Sequence, residues 1–143
     1  NLLLNIGPKP DGAVPEEAYP RLEAVGRWIR ANGEAMYGQV DRVAGRMEWL
    51  PTGSWTLKGN TGYYWCQRWP GYELVLGGLE TPVKRVSYLA TGEEIAFAQS
   101  ETRLVLTGLP AANPDPEVGI TVLKVEFDGE PRQRLGAGCV LVD

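Results

Sequence analysis

Asn1-Leu2-Leu3-Leu4-Asn5-Ile6-Gly7-Pro8-Lys9-Pro10-Asp11-Gly12-Ala13-Val14-Pro15 takes the chain from a short apolar burst, through a Gly/Pro/Asp turn, to a proline suited to opening a helix. Leu2, Leu3, Leu4 and Ile6 are too few to cross a membrane and too continuous for a strand with one wet face. An unbroken run of this length reads as a strand buried on both faces, the habit of parallel sheets with helices packed outside. Such a strand needs neighbours on both sides. Nothing precedes this one, and the chain begins with Asn rather than Met. The expectation is a piece of a larger protein.

Working outward, Gly7 to Gly12 reads as a loop stiffened by Pro8 and Pro10, with Asp11-Gly12 as its turn. Pro15 suits a first helical position, and Glu16 and Glu17 suit the positive end of a helix. Ala18, Leu22, Val25 and Ile29 recur at helical spacing, flanked by Gly26 and Trp28, while Arg21, Glu23, Arg27 and Arg30 occupy the wetter sides. The pattern predicts a helix over Pro15 to Ala31. It is bent or re-initiated at Pro20, which has no N–H to donate, and Asn32-Gly33 is expected to form a left-handed stop.

Beyond Gly38 the period changes. Short alternating or β-branched runs cut by turns predict strands at Met47–Leu50, Ser54–Lys58, Thr61–Arg68, Tyr72–Leu76, Val83–Leu89, Glu94–Ala98, Arg103–Thr107 and Val118–Phe127, with a further short one at Cys139–Val142. Gly59-Asn60 should tip a hairpin, and Ala90-Thr91-Gly92-Glu93 should form a second tight connection. The proline-rich stretch from Pro110 to Glu117 should carry the chain between sheets. The fold class that follows is mainly β: an antiparallel β-sandwich of about eight strands over 39–143, preceded by one βα unit over 1–38.

Composition narrows the chemistry. The net charge of -4 and the lack of long basic runs argue against nucleic acid as a partner, and no stretch is long and apolar enough for a membrane span. The chain has no histidine and only Cys66 and Cys139 as thiols. That removes Ser-His and Cys-His nucleophile pairs and makes a transition-metal site improbable; no metal and no cofactor are expected. The two cysteines could pair in an oxidising compartment, but two isolated cysteines read more readily as buried thiols.

The residues in order also resemble a family. Asn1-Leu2-Leu3-Leu4-Asn5-Ile6-Gly7-Pro8, Asp11-Gly12, Pro15-Glu16-Glu17, Gly26-Arg27-Trp28 and Asn32-Gly33-Glu34-Ala35-Met36-Tyr37-Gly38 are similar to the end of the catalytic domain of α-L-fucosidases, glycoside hydrolase family 29. Trp55-Thr56-Leu57-Lys58-Gly59-Asn60-Thr61, Arg68-Trp69-Pro70-Gly71 and Leu89-Ala90-Thr91-Gly92 resemble the β-sandwich that follows it. The resemblance implies that 1–38 is the last strand and helix of a (β/α)8 barrel. It also implies a retaining exo-glycosidase that removes terminal α-L-fucose from glycans. The implied Asp nucleophile, acid/base carboxylate and sugar-gripping histidines lie on earlier parts of the barrel, so no catalytic residue is carried over and the chain alone is expected to be inactive. Its implied partners are a fucosylated glycan, through the complete enzyme, and its own barrel.

Barrel pockets are built from the loops after the strands, so Asn5 and Lys9 are the candidates for the substrate rim. A simpler reading has Asn5 satisfying backbone groups and Lys9 solvated. Glu34 is expected to hold the junction by bonding backbone groups rather than to do chemistry. In Tyr63-Tyr64-Trp65-Cys66-Gln67-Arg68-Trp69, alternation sets Tyr63, Trp65, Gln67 and Trp69 on one face. Those rings either fill the core or its contact with the barrel, or form an exposed platform for sugar. The second option is the alternative function, a carbohydrate-binding module that works by itself.

Overall fold

The computed structural model describes residues 5–38, 40, 47 and 50–134. Residues 1–4, residues 48–49 within the Met47–Leu50 run and the Cys139–Val142 run lie outside the described residues. From Asn5 to Pro15 the chain has no regular structure apart from the turn at Pro10–Asp11. A 3-10 turn, Glu16–Ala18, leads into the helix α1, Tyr19–Asn32. Pro20 sits in the first turn of α1, where its missing N–H has no helical partner. The helix is re-initiated there, as expected.

The predicted left-handed stop at Gly33 is corrected. Gly33 stays right-handed (φ -59°, ψ -27°), and a second 3-10 turn, Gly33–Ala35, follows. Its bonds run from Met36 and Tyr37 N–H to the Gly33 carbonyl at 3.0 and 2.9 Å. The left-handed glycine comes later, at Gly38 (φ +84°). Continuing the helical path sets Glu34 and Ala35 against the sheet.

Seven strands follow among the described residues: β1 Gly53–Lys58, β2 Thr61–Cys66, β3 Glu73–Gly77, β4 Val83–Tyr88, β5 Phe97–Ser100, β6 Arg103–Thr107 and β7 Thr121–Phe127. They form two antiparallel sheets, ordered β1-β2-β7-β4 and β3-β6-β5. The Gly59-Asn60 tip joins β1 to β2, with Lys58 opposite Thr61 and Gly59 at φ +53°. The 110–120 loop carries the chain from β6 in one sheet to β7 in the other, as its prolines suggest.

The sheets pack face to face. Trp55, Leu57, Tyr64, Cys66, Leu123 and Val125 from the larger sheet meet Leu74, Leu76, Leu104 and Leu106 from the smaller one in a single cluster. The three-stranded sheet alternates, with β3 and β6 burying every second residue and leaving the outer face wet. In contrast, β2 and β7 are buried on both faces, because α1 covers the outer side of the larger sheet. That is why Tyr63-Tyr64-Trp65 places large rings on successive positions without an exposed row.

Three strand boundaries move for identifiable reasons. The run from Thr61 ends at Cys66 because the N–H groups of Gln67 and Arg68 both turn to the Thr52 carbonyl, at 2.8 and 3.0 Å. Trp69 therefore leaves the face of Trp65, packs against the core between the sheets and donates its Nε1–H to the Pro110 carbonyl at 2.8 Å. The run from Glu94 serves two sheets in turn. Ile95 N–H first bonds back to the Val86 carbonyl at 2.9 Å, and β5 in the smaller sheet begins only at Phe97. Before Thr121, the N–H groups of Val118 and Ile120 go to Asp115 rather than into the ladder.

Candidate functional site

The opening loop holds itself by local bonds. Asn5 Oδ1 accepts from Gly7 N–H at 3.0 Å and Asp11 Oδ1 from Ala13 N–H at 3.0 Å, both two residues along. Lys9 N–H donates to the Ala13 carbonyl at 2.9 Å, and the Lys9 carbonyl accepts from Gly12 N–H at 2.8 Å. Asn5 and Lys9 are both exposed. Their placement is that of an outward-facing loop leading into α1, and Asn5 spends its carbonyl oxygen on the backbone.

A denser cluster lies where α1 ends. Glu34 Oε1 accepts from the Tyr63 hydroxyl on β2 at 2.8 Å and from Lys124 Nζ on β7 at 2.7 Å. Its backbone carbonyl accepts from Lys58 Nζ on β1. The neighbouring Ala35 carbonyl accepts from Thr56 Oγ1 at 3.1 Å, and that oxygen in turn accepts from Trp65 Nε1 at 2.9 Å. The bond from Lys124, helped by that from Tyr63, holds the Glu34 carboxyl below its ordinary range, against a smaller opposing effect of burial. Burial first, and the carboxylate second, push the Tyr63 hydroxyl well above its own. Glu34 is thus a fixed anion that accepts bonds and is poorly suited to deliver a proton. Its carboxylate ties the helix end to side chains of β2 and β7, not to the backbone groups expected from sequence, and its backbone carbonyl adds a tie to Lys58 on β1.

Higher on the helix, Trp28 is buried against Tyr63 and Val122. Its ring centroid lies 5.7 Å from that of Trp65, and its Nε1–H donates to the Ile120 carbonyl at 2.8 Å. Arg27 forms a two-pronged pair with Glu117 at 2.8 and 2.9 Å. The 110–120 loop that receives both is organised by Asn113 and Asp115. Asn113 Nδ2 donates to the Gly119 carbonyl at 2.6 Å, and Asn113 Oδ1 accepts from Thr121 Oγ1 at 2.5 Å. Asp115 Oδ2 accepts from the N–H groups of Val118 and Ile120 at 2.9 and 3.2 Å.

Between α1, this loop and the β4–β5 connection runs an open groove of about 790 Å³. One wall is Arg27, Trp28, Ala31 and Asn32; the other is Tyr88, Thr91, Ile95, Leu109 and Pro110. Asn32 is 3% exposed, gives its Nδ2–H to the Trp28 carbonyl at 3.0 Å and leaves Oδ1 buried without a partner. The groove's carboxylates are largely committed: Glu117 to Arg27, Glu94 to Arg85, and Asp115 to the loop backbone. Among the described residues no His/Cys/Asp/Glu group could hold a metal ion. No helix among them is long and apolar enough to cross a membrane. The chemistry available in these parts is binding and positioning.

Sequence reasoning singled out Glu34, whose carboxylate the structure bonds to Tyr63 and Lys124. It missed the Trp28 anchor, the Lys124 partner and the Arg27–Glu117 pair. Only the loop could have been found earlier, since Asn113-Pro114-Asp115-Pro116 carries the turn chemistry that its side chains execute.

A sequence profile described as alpha-L-fucosidase matches residues 1–34, ending on the carboxylate that ties helix to sheet. The chain is 35% identical to the tissue alpha-L-fucosidase of Mus musculus over 133 residues, covering 89% of this chain and 27% of that protein. Among solved structures it matches alpha-L-fucosidase isoenzyme 1 from Paenibacillus thiaminolyticus with a TM-score of 0.77 and 30% identity, over 90% of this chain and 31% of that one. It also matches a GH29 alpha-L-fucosidase from Bacteroides thetaiotaomicron, trapped as a covalent intermediate, with a TM-score of 0.69 and 25% identity, over 87% of this chain and 28% of the other. The chain thus spans roughly a quarter to a third of the length of the relatives it matches. On these matches the chain belongs to the α-L-fucosidase family and corresponds to the C-terminal part of its relatives.

Proposed function

We propose that this chain is the C-terminal part of an α-L-fucosidase, a retaining exo-glycosidase that hydrolyses terminal α-L-fucose from glycans. In this reading 1–38 is the closing βα unit of the catalytic barrel and 39–143 is a sandwich that braces it. The observation that carries the reading is the junction at Glu34. The stretch matched by the fucosidase profile ends on a side chain bonded to both β2 and β7, so the helix cannot shift without the sandwich. The covalent intermediate trapped in the Bacteroides relative supports a retaining course, in which two carboxyl groups stand about 5–5.5 Å apart. In this reading those groups belong to the rest of the enzyme. Asn5 and Lys9, on the loop before α1, contribute at most to the rim of the pocket.

The test compares the complete protein with the 143-residue chain on an aryl α-L-fucoside. The complete protein should turn the substrate over and the chain should not. Enzyme-like hydrolysis by the chain alone, or none by the complete protein, would overturn the reading. In the complete protein, Asn5→Ala should raise KM; unchanged hydrolysis would remove Asn5 from the rim.

A further inference from the structure

We infer that the groove between α1, the 110–120 loop and the β4–β5 connection binds a small organic cation, an ammonium group carried on an apolar body. The head sits beside Glu93 and Tyr88, and the body lies along the apolar floor. This goes beyond the fucosidase reading and does not depend on it.

The charge of the lining comes first. Glu93, Glu94, Asp115 and Glu117 line the groove, with Arg27 as the one base among the described lining residues. Arg27 is spent on Glu117, and Arg85, from outside the groove, on Glu94. Asp115 Oδ2 accepts from two N–H groups of its own loop. Glu93 is left as an exposed carboxylate with no ion pair among the described residues. Such a lining repels an anion and draws a cation.

The chain's register puts an aromatic ring next to that carboxylate. Ser87 and Glu94 form an antiparallel bridge, and Tyr88 N–H donates to the Glu93 carbonyl at 2.9 Å. Tyr88 and Glu93 are therefore directly opposite each other, with Cβ atoms about 5 Å apart on one side of the connection. Both line the groove, and the Tyr88 ring is backed by Trp69 at 6.5 Å between centroids. Burial, and after it the Glu93 charge, raise the Tyr88 hydroxyl above its ordinary value, in keeping with that nearness. A carboxylate and an aromatic ring side by side hold an ammonium group by charge and by cation–π attraction.

The floor selects the rest of the ligand. It is formed by Trp28, Ile95, Leu109 and Val122. Thr91 Oγ1 on the rim already accepts from Glu93 N–H at 3.3 Å. A polyhydroxylated ligand would find few free partners, whereas an apolar body needs none. Pro110, Pro114 and Pro116 stiffen the rim, and Asn113 and Asp115 bond the loop to itself, so the site is set before anything binds. Its volume of about 790 Å³ is in the range of small-molecule sites.

A titration with phenylbutylamine tests the inference, followed at the Trp28 indole N–H and the Ile95 amide in heteronuclear NMR spectra of the 143-residue chain. The expected result is saturable shifts with Kd on the order of 1 mM, the scale for a ligand of about a dozen heavy atoms. Phenylbutanol, which has the same shape without the charge, should bind about fivefold more weakly, and phenylbutyrate more weakly still. Glu93→Gln should remove the preference for the amine and leave phenylbutanol unchanged, while Glu73→Gln on β3 should change nothing. Equilibrium dialysis of the complete protein should show the same preference with the same dependence on Glu93. Equal binding of amine and alcohol would overturn the inference, as would an amine preference that survives Glu93→Gln. Absence of saturable shifts at Trp28 and Ile95 would overturn it as well. So would loss of the Glu93-dependent binding in the complete protein, which would make the groove an internal joint. Displacement of the amine by a fucosylated oligosaccharide would make it a sugar site and overturn it too.

Discussion

Replacing Trp28 with alanine removes the side chain that seats α1 on the outer face of the larger sheet. Burying a tryptophan takes about 150–250 Å² out of water, worth about 4–6 kcal/mol at ~25 cal/mol per Å². That is an upper value, because the unfolded chain already hides part of this surface. Trp→Ala changes in packed sites cost about 3–5 kcal/mol, which we take as the working figure. The bond from Nε1 to the Ile120 carbonyl contributes about 1 kcal/mol of that. The loss should be local, because Trp28 belongs to the cluster between helix and sheet and not to the one between the sheets. An isolated helix of 14 residues is marginal in water, so once undocked it frays. Hydrogen exchange on the 143-residue chain is the assay. Amides of Val25 to Asn32 should lose about two to three powers of ten in protection, at ~1.4 kcal/mol for each. Amides in β3 and β6 should change far less. Trp28→Phe keeps most of the packing and should cost only about 1 kcal/mol, the lost indole bond. Unchanged protection in α1, or an equal loss in both sheets, would refute the assignment of Trp28 as a local anchor.

Glu34 gives a pH prediction whose sign follows from its bonds. Its folded pKa lies below the unfolded value, so its contribution is present above the unfolded pKa and is lost as pH falls through the folded one. Glu34→Gln should flatten the acid limb of stability against pH in urea unfolding. The effect should stay under ~1 kcal/mol, since the carboxylate is largely solvated; an acid limb of unchanged slope would count against the cluster. Gly53 faces a backbone carbonyl so closely that an added Cβ would stand 2.0 Å from the oxygen of Trp65. Gly53→Ala should therefore cost about 3 kcal/mol or more and loosen the β1–β2 pairing, read as lost amide protection at Trp65 and Cys66; a cost under ~1 kcal/mol would mean that the strands separate easily there. Burial raises the Cys66 thiol to about 11, against a lesser lowering by a hydrogen bond from the Arg68 backbone, so it should resist alkylation at neutral pH until the sandwich unfolds. Labelling of native Cys66 at the rate of a free thiol would contradict that burial.

Local patterns in the sequence determined the order and kind of the elements, because period, turn chemistry and proline placement act over a few residues. Arg103–Thr107 is a strand with the bounds its alternation predicts, and the Gly59-Asn60 hairpin and the re-started helix at Pro20 follow from single residues. The order of motifs was also enough to suggest the family. The tertiary structure decided which faces touch. The spacing of Ala18, Leu22, Val25 and Ile29 marks an apolar stripe, but only Ile29 of it packs with the buried Trp28, which docks because the sheet offers Trp65 and the loop before β7 the Ile120 carbonyl. Period-2 alternation separates Tyr64 from Trp65 without saying which meets the second sheet; that depends on α1 covering the outer face, so Tyr64 fills the sandwich and Trp65 meets the helix. Glu34 and Lys124, like Arg27 and Glu117, lie 90 residues apart. Their pairing depends on how the two sheets and the helix stack, a long-range arrangement that no short stretch of sequence encodes by itself.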